Sequence, residues 1–538
     1  MRSALLAAAL AAVLAAYGET LTFGFHYDDY HFARPWTAAE LRQVFRGSWD
    51  PTGIESVFYR PLSAVWFAWR FEIFGLNAAA QHALTLAGMV CCSWMLGLFV
   101  WRETGRRWTG VSAAVLYAIH PSLPYAQGVW LTNQMHLLAS LTVLAALLVW
   151  QRTRTRPPVA WIPIVVLQGV AFGFKEDTLV LTPLLLALTV LRNRFVGDVP
   201  RPAWPIVIAG LMVTAALPWW RYSVLGKLGG YGLPGVEQGW GNFRRGLDGV
   251  MRLVPAKRPF QSIASVFSTA VLLVGALCSF RRLSAGRYLF AAGMLMAVCF
   301  NAPFVLVSKA EQFHLVAMGV VVALIGGIQA IMDALPRSRI QPAVAAVIGA
   351  GAMSFLPLTR DIARDFAPCA SNTLRTDALA ADWWIVPDEI QAWLRAKPDA
   401  CKAGTVGPLT EQLETVSWAY GLEPDEAGRP FQWTSERAVI LANRRASRLL
   451  IAVRQPGATP GDPVTLVVRG PLGDTRVRLM TPAWQSLTVP LTPTWRSRLQ
   501  RMHRVDIDVS RTFVPAERDP SNADRRHLGV QLRILEPH

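Results

Sequence analysis

Runs of about 17–22 apolar residues recur from the N-terminus to roughly residue 357. Each is long enough to cross the hydrocarbon core of a bilayer as a helix. No other feature limits the fold as strongly, because lipid offers no partner for backbone N–H and C=O groups and only a helix pairs them within one segment. About eleven such segments are expected, near residues 3–18, 78–101, 110–127, 132–150, 159–174, 177–191, 203–220, 263–280, 286–307, 313–332 and 340–357. Charged residues form only 17% of the chain, against roughly 25% in soluble domains. The first segment, LLAAALAAVLAAYG, reads either as an anchor or as a cleaved signal peptide.

Loop charges orient these segments. Arg2, then Arg102, Arg106 and Arg107, then Arg152, Arg154 and Arg156, then Arg192 and Arg194, then Arg281, Arg282 and Arg287, then Arg337 and Arg339 fall in alternate short loops. The positive-inside rule makes those loops cytoplasmic. The opposite loops carry HYDDYHF, HPSLPYAQ, FKED, the stretch 221–262 and SKAEQFH, so the polar motifs share the external face. The formal charge of +17 raises nucleic acid as a partner. Its distribution argues against one: residues 1–356 hold 29 Lys+Arg against 15 Asp+Glu, and the remainder holds 24 against 21. The excess lies in the membrane half, where a polyanionic headgroup is the better partner.

Acids at a membrane face are costly without a role. Asp28 and Asp29, set among aromatics in HYDDYHF, read as a base for an acceptor hydroxyl or as helix caps. The following AAELRQVF reads as an amphipathic surface helix. Arg60 in YRPL either grips a phosphate or anchors at the interface by snorkelling. His120, before Pro121, binds an acceptor or phosphate, or caps a helix. Lys175 and Glu176 in GFKEDTLVLTP neutralise and orient a phosphate, or form a local ion pair. Glu311 and His314 in SKAEQFHLVAMG form a second polar wall of the cavity or a plain interfacial turn. Arg221 opens the basic, Gly-rich loop 221–262, which reads as mobile and able to close over an anionic headgroup. No Walker, dinucleotide, HExxH or CxxC pattern is present.

From about residue 358 the composition changes. Residues 358–404 read as a helical connector, and 405–538 as short alternating strands separated by PGATPGD, GPLGD and RDPSNAD turns. That pattern predicts an all-β, jelly-roll-like sandwich. It serves either as a lid over the membrane part or as a carbohydrate-binding module, with Trp418, Trp433, Trp484 and Trp495 as stacking platforms or core residues. Cys91, Cys92, Cys278 and Cys299 lie in apolar spans and behave as small hydrophobes. Cys369 and Cys401 lie in the external part and form a disulfide in an oxidising compartment, or remain two buried thiols.

Across roughly residues 1–356 the chain resembles the GT-C glycosyltransferases that use polyprenyl-phosphate-linked sugars. The nearest branch holds the protein O-mannosyltransferases and the transmembrane-and-tetratricopeptide mannosyltransferases. The resemblance is carried by DDY at 28–30, YRPL at 59–62, HP at 120–121, KE at 175–176 followed by TPLL at 182–185, and EQFHLVAMG at 311–319. It implies a transmembrane catalytic domain over 1–357, with Asp28 or Asp29 as base or acceptor-positioning carboxylate and Arg60 and Lys175 on the lipid phosphate. The chain departs from that branch with Asn133 and Gln134 after HP, with Gln312 in the EQF turn, and with a β-rich tail in place of tetratricopeptides. The resemblance implies inverting sugar transfer at the external face of a bacterial inner membrane, with the tail in the periplasm or outside the cell. The partners implied are a polyprenyl-phosphate-sugar donor, a glycan, lipid or protein acceptor, and membrane lipids. A divalent metal is compatible with the pattern, although no resident cofactor is implied. A lipid-linked saccharide flippase would instead need polar residues at mid-membrane depth. A third reading is a non-catalytic glycan-binding envelope protein.

Overall fold

The computed structural model describes residues 1–535, apart from 26–28, 52–57, 157–160, 198–203, 227–235, 253–260, 282–284, 306–312, 336–339, 366–414, 444 and 520. Asp28, Glu311, Cys369 and Cys401 therefore lie outside the described residues, as does the connector from residue 366 to 404. The helices are α1 Arg2–Tyr17, α2 Asp29–Phe32, α3 Ala38–Gln43, α4 Pro61–Phe74, α5 Ala78–Thr104, α6 Arg107–Ala118, α7 Gln134–Thr153, α8 Ile162–Phe174, α9 Leu181–Phe195, α10 Trp204–Leu225, α11 Val236–Arg252, α12 Gln261–Arg281, α13 Ala285–Asn301, α14 His314–Ala334, α15 Ile340–Met353 and α16 Phe355–Asp365.

Each expected apolar segment contains a helix among the described residues, although the one expected at 110–127 is α-helical only to Ala118. Among the described residues, seven helices or helix-turn units are long and apolar enough to cross a membrane: Arg2–Thr22, Ala78–Thr104, Gln134–Thr153, Glu176–Phe195, Gln261–Ser279, His314–Ala334 and Gln341–Arg364. The chain is thus a polytopic helical membrane protein with an all-β C-terminal part. Helices α6 and α8 have 12 and 13 residues, shorter than a full span. Among the described residues before the β-part, two long helices were not anticipated. One is α4, whose Pro61 suits a first helical position. The other is α11, which occupies the middle of the stretch expected to be a mobile loop. In α11 Trp240, Phe243 and Leu247 recur at helical spacing. The expected surface helix is α3, closed by a capping box in which Thr37 accepts from Glu40 N–H and the Glu40 carboxylate accepts from Thr37 N–H.

The chain divides into two compact units: Met1–Leu21 with Thr37–Trp66 and His82–Ala367, and Thr22–Trp36 with Phe67–Gln81 and Pro368–His538. The first unit is built around α14, buried continuously from His314 to Ala330. Lipid provides no hydrophobic drive between helices, so close approach depends on small side chains. A Cβ at Gly293 would overlap the Ala323 backbone, and one at Gly319 would overlap Ala297. Helices α13 and α14 therefore touch backbone to backbone. At the ends assigned to the cytoplasm, the completely buried Glu103 carboxylate pairs with Arg154 (2.8 Å) and with Arg192. Arg106 pairs with Asp333 at 2.7 Å. Arginines read as topology signals are thus also structural clamps.

In the second unit, eight antiparallel strands form one sheet: β1 Thr415–Pro424, β2 Pro430–Asn443, β3 Arg448–Arg454, β4 Val464–Gly470, β5 Gly473–Leu479, β6 Gln485–Pro490, β7 Met502–Val509 and β8 Gln531–Leu535. The order is β5-β4-β7-β2-β8-β3-β6, with β1 on the other edge of β2. The long β2 pairs with β7 through residues 437–443 and with β8 at 432–433, so the sheet divides into two arms. One core takes Ile451 and Val453 from β3, Leu466 and Val468 from β4, and Val505 and Ile507 from β7. Side chains from both arms fill it, the arrangement of a two-layer sandwich.

Candidate functional site

In the first unit, three sequence motifs separated by more than forty residues meet at one carboxylate. Lys175 ends α8 in an extended conformation, φ −156° and ψ 130°. A 3₁₀ turn, Glu176–Val180, then leads into α9. This places Glu176 and Asp177 at the positive end of the following helix, where negative charge is favoured. Arg60 immediately precedes α4, and its Nε donates to Glu176 Oε2 at 2.7 Å. The Tyr59 N–H donates to Glu176 Oε1 at 3.1 Å. Arg221, on α10, brings its Nε to 3.6 Å from the same oxygen. The Arg60 guanidinium lies 3.9 Å from the Phe58 ring centre and 5.1 Å from that of Trp49. Its Nη1 reaches Met135 Sδ at 3.4 Å. Tyr59 braces the cluster: Trp220 Nε1–H donates to its hydroxyl at 2.8 Å, and that hydroxyl donates to Phe45 C=O.

Arg60, Lys175 and Arg221 are each about 4% exposed. Among the described residues, these three buried cations gather around the Glu176 and Asp177 carboxylates. Charge withdrawn from water is expensive unless paired, and ionisable groups gathered beside a membrane point to a functional site. The cluster gathers the first turns of α7 and α9, whereas the Glu103 clamp holds their last turns. The two charged layers lie at opposite helix ends, as the loop charges predict.

His314 joins the cluster, in company with His136. Their Nδ1 atoms are 3.2 Å apart, and His314 Nε2 stands 4.0 Å from Asp177 Oδ2. Both rings are fully buried. His136 was not among the expected site residues. Its signal was weak: a single histidine in the first turn of an apolar helix, in NQMHLLA. Gln134, a departure from the resembling branch, is structural here, accepting from Trp66 Nε1–H at 2.7 Å and donating to Thr85 Oγ at 2.5 Å.

His120 is placed apart from these contacts. Its Nδ1 accepts the Ser122 N–H at 3.3 Å, and its ring meets Phe355 edge-on. This is the geometry of a turn cap. Asp29 opens α2 in the second unit and is completely buried. Among the described residues, no three His, Cys, Asp or Glu side chains gather as a metal-ligand set.

The sheet's tryptophans also have defined places. Trp433 is buried with Phe431 and Leu528. Trp484 is flanked by Arg454 and Arg533 at 4.8 and 4.4 Å from its ring centre, so its faces are occupied. Trp495 is 77% exposed. The Trp418 side chain lies outside the described residues.

No protein-family profile matches the chain, and no curated protein matches it. Among solved structures, it is similar to the oligosaccharyltransferase AglB of Archaeoglobus fulgidus, in the apo form (TM-score 0.44, 14% identity) and in complex with an inhibitory peptide and a dolichol-phosphate (TM-score 0.45, 14% identity). Each comparison covers 76% of this chain and 60% of the other. It is also similar to the arabinosyltransferase EmbB of Mycobacterium smegmatis (TM-score 0.33, 13% identity), over 98% of this chain and 64% of that one. The chain thus spans less than two thirds of the length of the solved chains it matches.

Proposed function

We propose that this protein is a membrane glycosyltransferase that moves a sugar from a polyprenyl-phosphate donor to an acceptor hydroxyl at the external face. The observation that carries this reading is the buried cluster of Arg60, Lys175 and Arg221 around Glu176 at the helix ends assigned to that face. A lipid-borne phosphate monoester is an anion that reaches such a site from the bilayer. Glu176 orients the two guanidiniums, and these hold the phosphate oxygens. The acceptor oxygen attacks the anomeric carbon, and the bond from that carbon to the phosphate oxygen breaks with inversion. The bond's electron pair remains on the departing polyprenyl phosphate, where the arginines and Lys175 stabilise the charge. The acceptor's proton goes to a first-loop carboxylate, Asp28 or Asp29. Phosphate leaves readily, so no separate strong acid is needed.

The test is transfer from a synthetic polyprenyl-phosphate sugar by purified Asp28→Asn, Asp29→Asn and doubly substituted protein. Loss of the base costs roughly 10²–10⁴-fold in rate, with elution and helical signal unchanged. Wild-type turnover by both single variants and by the double variant removes the base assignment.

A further inference from the structure

A surface feature of the second unit points to the bilayer rather than to the reaction. The helix α17, Trp495–Gln500, is only six residues long but is fixed by a capping box. Thr494 Oγ accepts the Ser497 N–H at 3.0 Å, and Ser497 Oγ accepts the Thr494 N–H at 2.8 Å. Its buried side is tied to the residues directly before the membrane span that begins at Ala78. Leu76 N–H donates to Gln500 C=O at 3.0 Å. Asn77 Nδ2 donates to Leu499 C=O at 2.7 Å, and Gln500 Nε2 donates to Glu72 C=O at 2.7 Å. Gly75, at φ +52°, permits this approach, since a Cβ there would meet Gln500 Cβ at 2.7 Å. Glu72 also pairs with Arg496 and with Arg504.

These contacts tie α17 to Asn77, one residue before a helix long and apolar enough to cross a membrane. Its outward side carries Trp495 (77% exposed) and, one turn on, Leu499 (36% exposed). Arg498 is exposed between them. Trp69, on α4 one turn before Glu72, is 46% exposed. Two exposed tryptophans, an exposed leucine and an exposed basic residue beside the start of a span have the composition of a membrane-interface belt. In water alone the apolar surface would be a cost without return. A sugar platform would pair the indole with hydrogen-bonding groups, and Leu499 at i+4 supplies none.

We propose that α17 is a membrane-surface anchor of the β-domain. Trp495 and Leu499 enter the headgroup–acyl boundary, and Arg498 faces anionic lipid headgroups. This assignment is independent of the catalytic reading.

The test uses the full-length protein in lipid nanodiscs, with the photoreactive residue p-benzoylphenylalanine at position 495, 499 or 472. Leu472, 64% exposed in the turn between β4 and β5, is the reference. After irradiation, lipid adducts at each position are measured by mass spectrometry. Adducts at 495 and 499 are expected well above those at 472. In discs containing phosphatidylglycerol, Arg498→Gln is expected to lower the 495 yield about fivefold, from the attraction of one basic residue to an anionic surface. In phosphatidylcholine discs it leaves the yield unchanged. A 495 yield no higher than that at 472 overturns the anchor. Adducts formed with an added oligosaccharide in place of lipid overturn it in favour of a sugar platform. Equal loss with Arg498→Gln in both lipids removes the headgroup contact.

Discussion

Replacing Arg60 with alanine separates the two roles this side chain could have, neutralising Glu176 or holding a donor phosphate. Arg60 donates to Glu176 at 2.7 Å with its side chain 5% exposed, and the carboxylate it faces is 19% exposed. Breaking a buried pair from one side costs about 3–5 kcal/mol, because the remaining charge is left without its partner. Arg221 stays 3.6 Å from Glu176, so the lower end, about 3 kcal/mol, is expected in stability. A lost charge-assisted contact to a phosphate adds about 1.5–3 kcal/mol to donor binding, or roughly 10- to 150-fold in Kd. Arg60→Lys restores charge but not a two-pronged grip and recovers only part of that affinity. The decisive variant is Arg60→Ala with Glu176→Gln. Removing both charges relieves the stability cost, so thermal unfolding in detergent moves back toward wild type. If Arg60 holds the phosphate, titration with a polyprenyl-phosphate analogue still shows the weakened Kd. Affinity restored together with stability in the double variant would refute the reasoning and reduce Arg60 to a partner of Glu176.

Other consequences are independent of that one. Gly293→Val would force α13 and α14 apart where their backbones touch. The expected result is a large loss of folded yield and thermal stability, whereas Gly349→Ala, with open space at its Cβ, should be near neutral. In the β-domain, burial alone would raise the Asp425 carboxyl, but the Arg429 N–H (2.8 Å), Arg533 Nη2 (2.6 Å) and the Ala427 N–H (2.9 Å) hold it well below the usual carboxylate range. A depressed carboxylate contributes stability that is complete above the unfolded value of about 4 and is lost as pH falls toward the native one. Asp425→Asn should therefore lower β-domain stability at pH 7 and flatten its acid limb, read by proteolysis across a pH series. An unchanged acid limb would remove Asp425 from the account. Cys369 and Cys401 enclose about 31 residues, and a bridge between them would contribute roughly 3–4 kcal/mol in the chain-entropy picture. Labelling the unfolded, unreduced protein should find four reactive thiols, and six would exclude the bridge.

Much of this architecture can be read locally. An apolar run of bilayer length must become a helix whatever surrounds it, so the helix positions followed from the sequence even where two proved shorter than a span. Alternating strands between turn residues marked the β-part in the same way, and the arginine loops separated the two faces. Asp29, Arg60, Lys175, Glu176, Arg221 and His314 were legible as polar residues at or beside the ends of apolar segments. What was not legible is which of them meet. Arg60 and Glu176 lie 116 residues apart, and His136 and His314 lie 178 apart. Periodicity describes one element at a time and carries no information about which helix ends are neighbours. That choice belongs to tertiary packing, where glycines at 293 and 319 let α13 and α14 close and fix the helices around them. The same packing separated His120 from the arginine cluster and drew in His136. It also grouped residues 22–36 and 67–81 with the β-domain, the latter through hydrogen bonds that Leu76 and Asn77 donate to Gln500 and Leu499 and that Glu72 C=O accepts from Gln500, each more than 400 positions away. The sequence alone determined the elements and the faces of this protein, because those depend on side chains within a few turns. Only the tertiary structure decided the site and the grouping of segments, because those depend on backbone approach between elements remote in the chain.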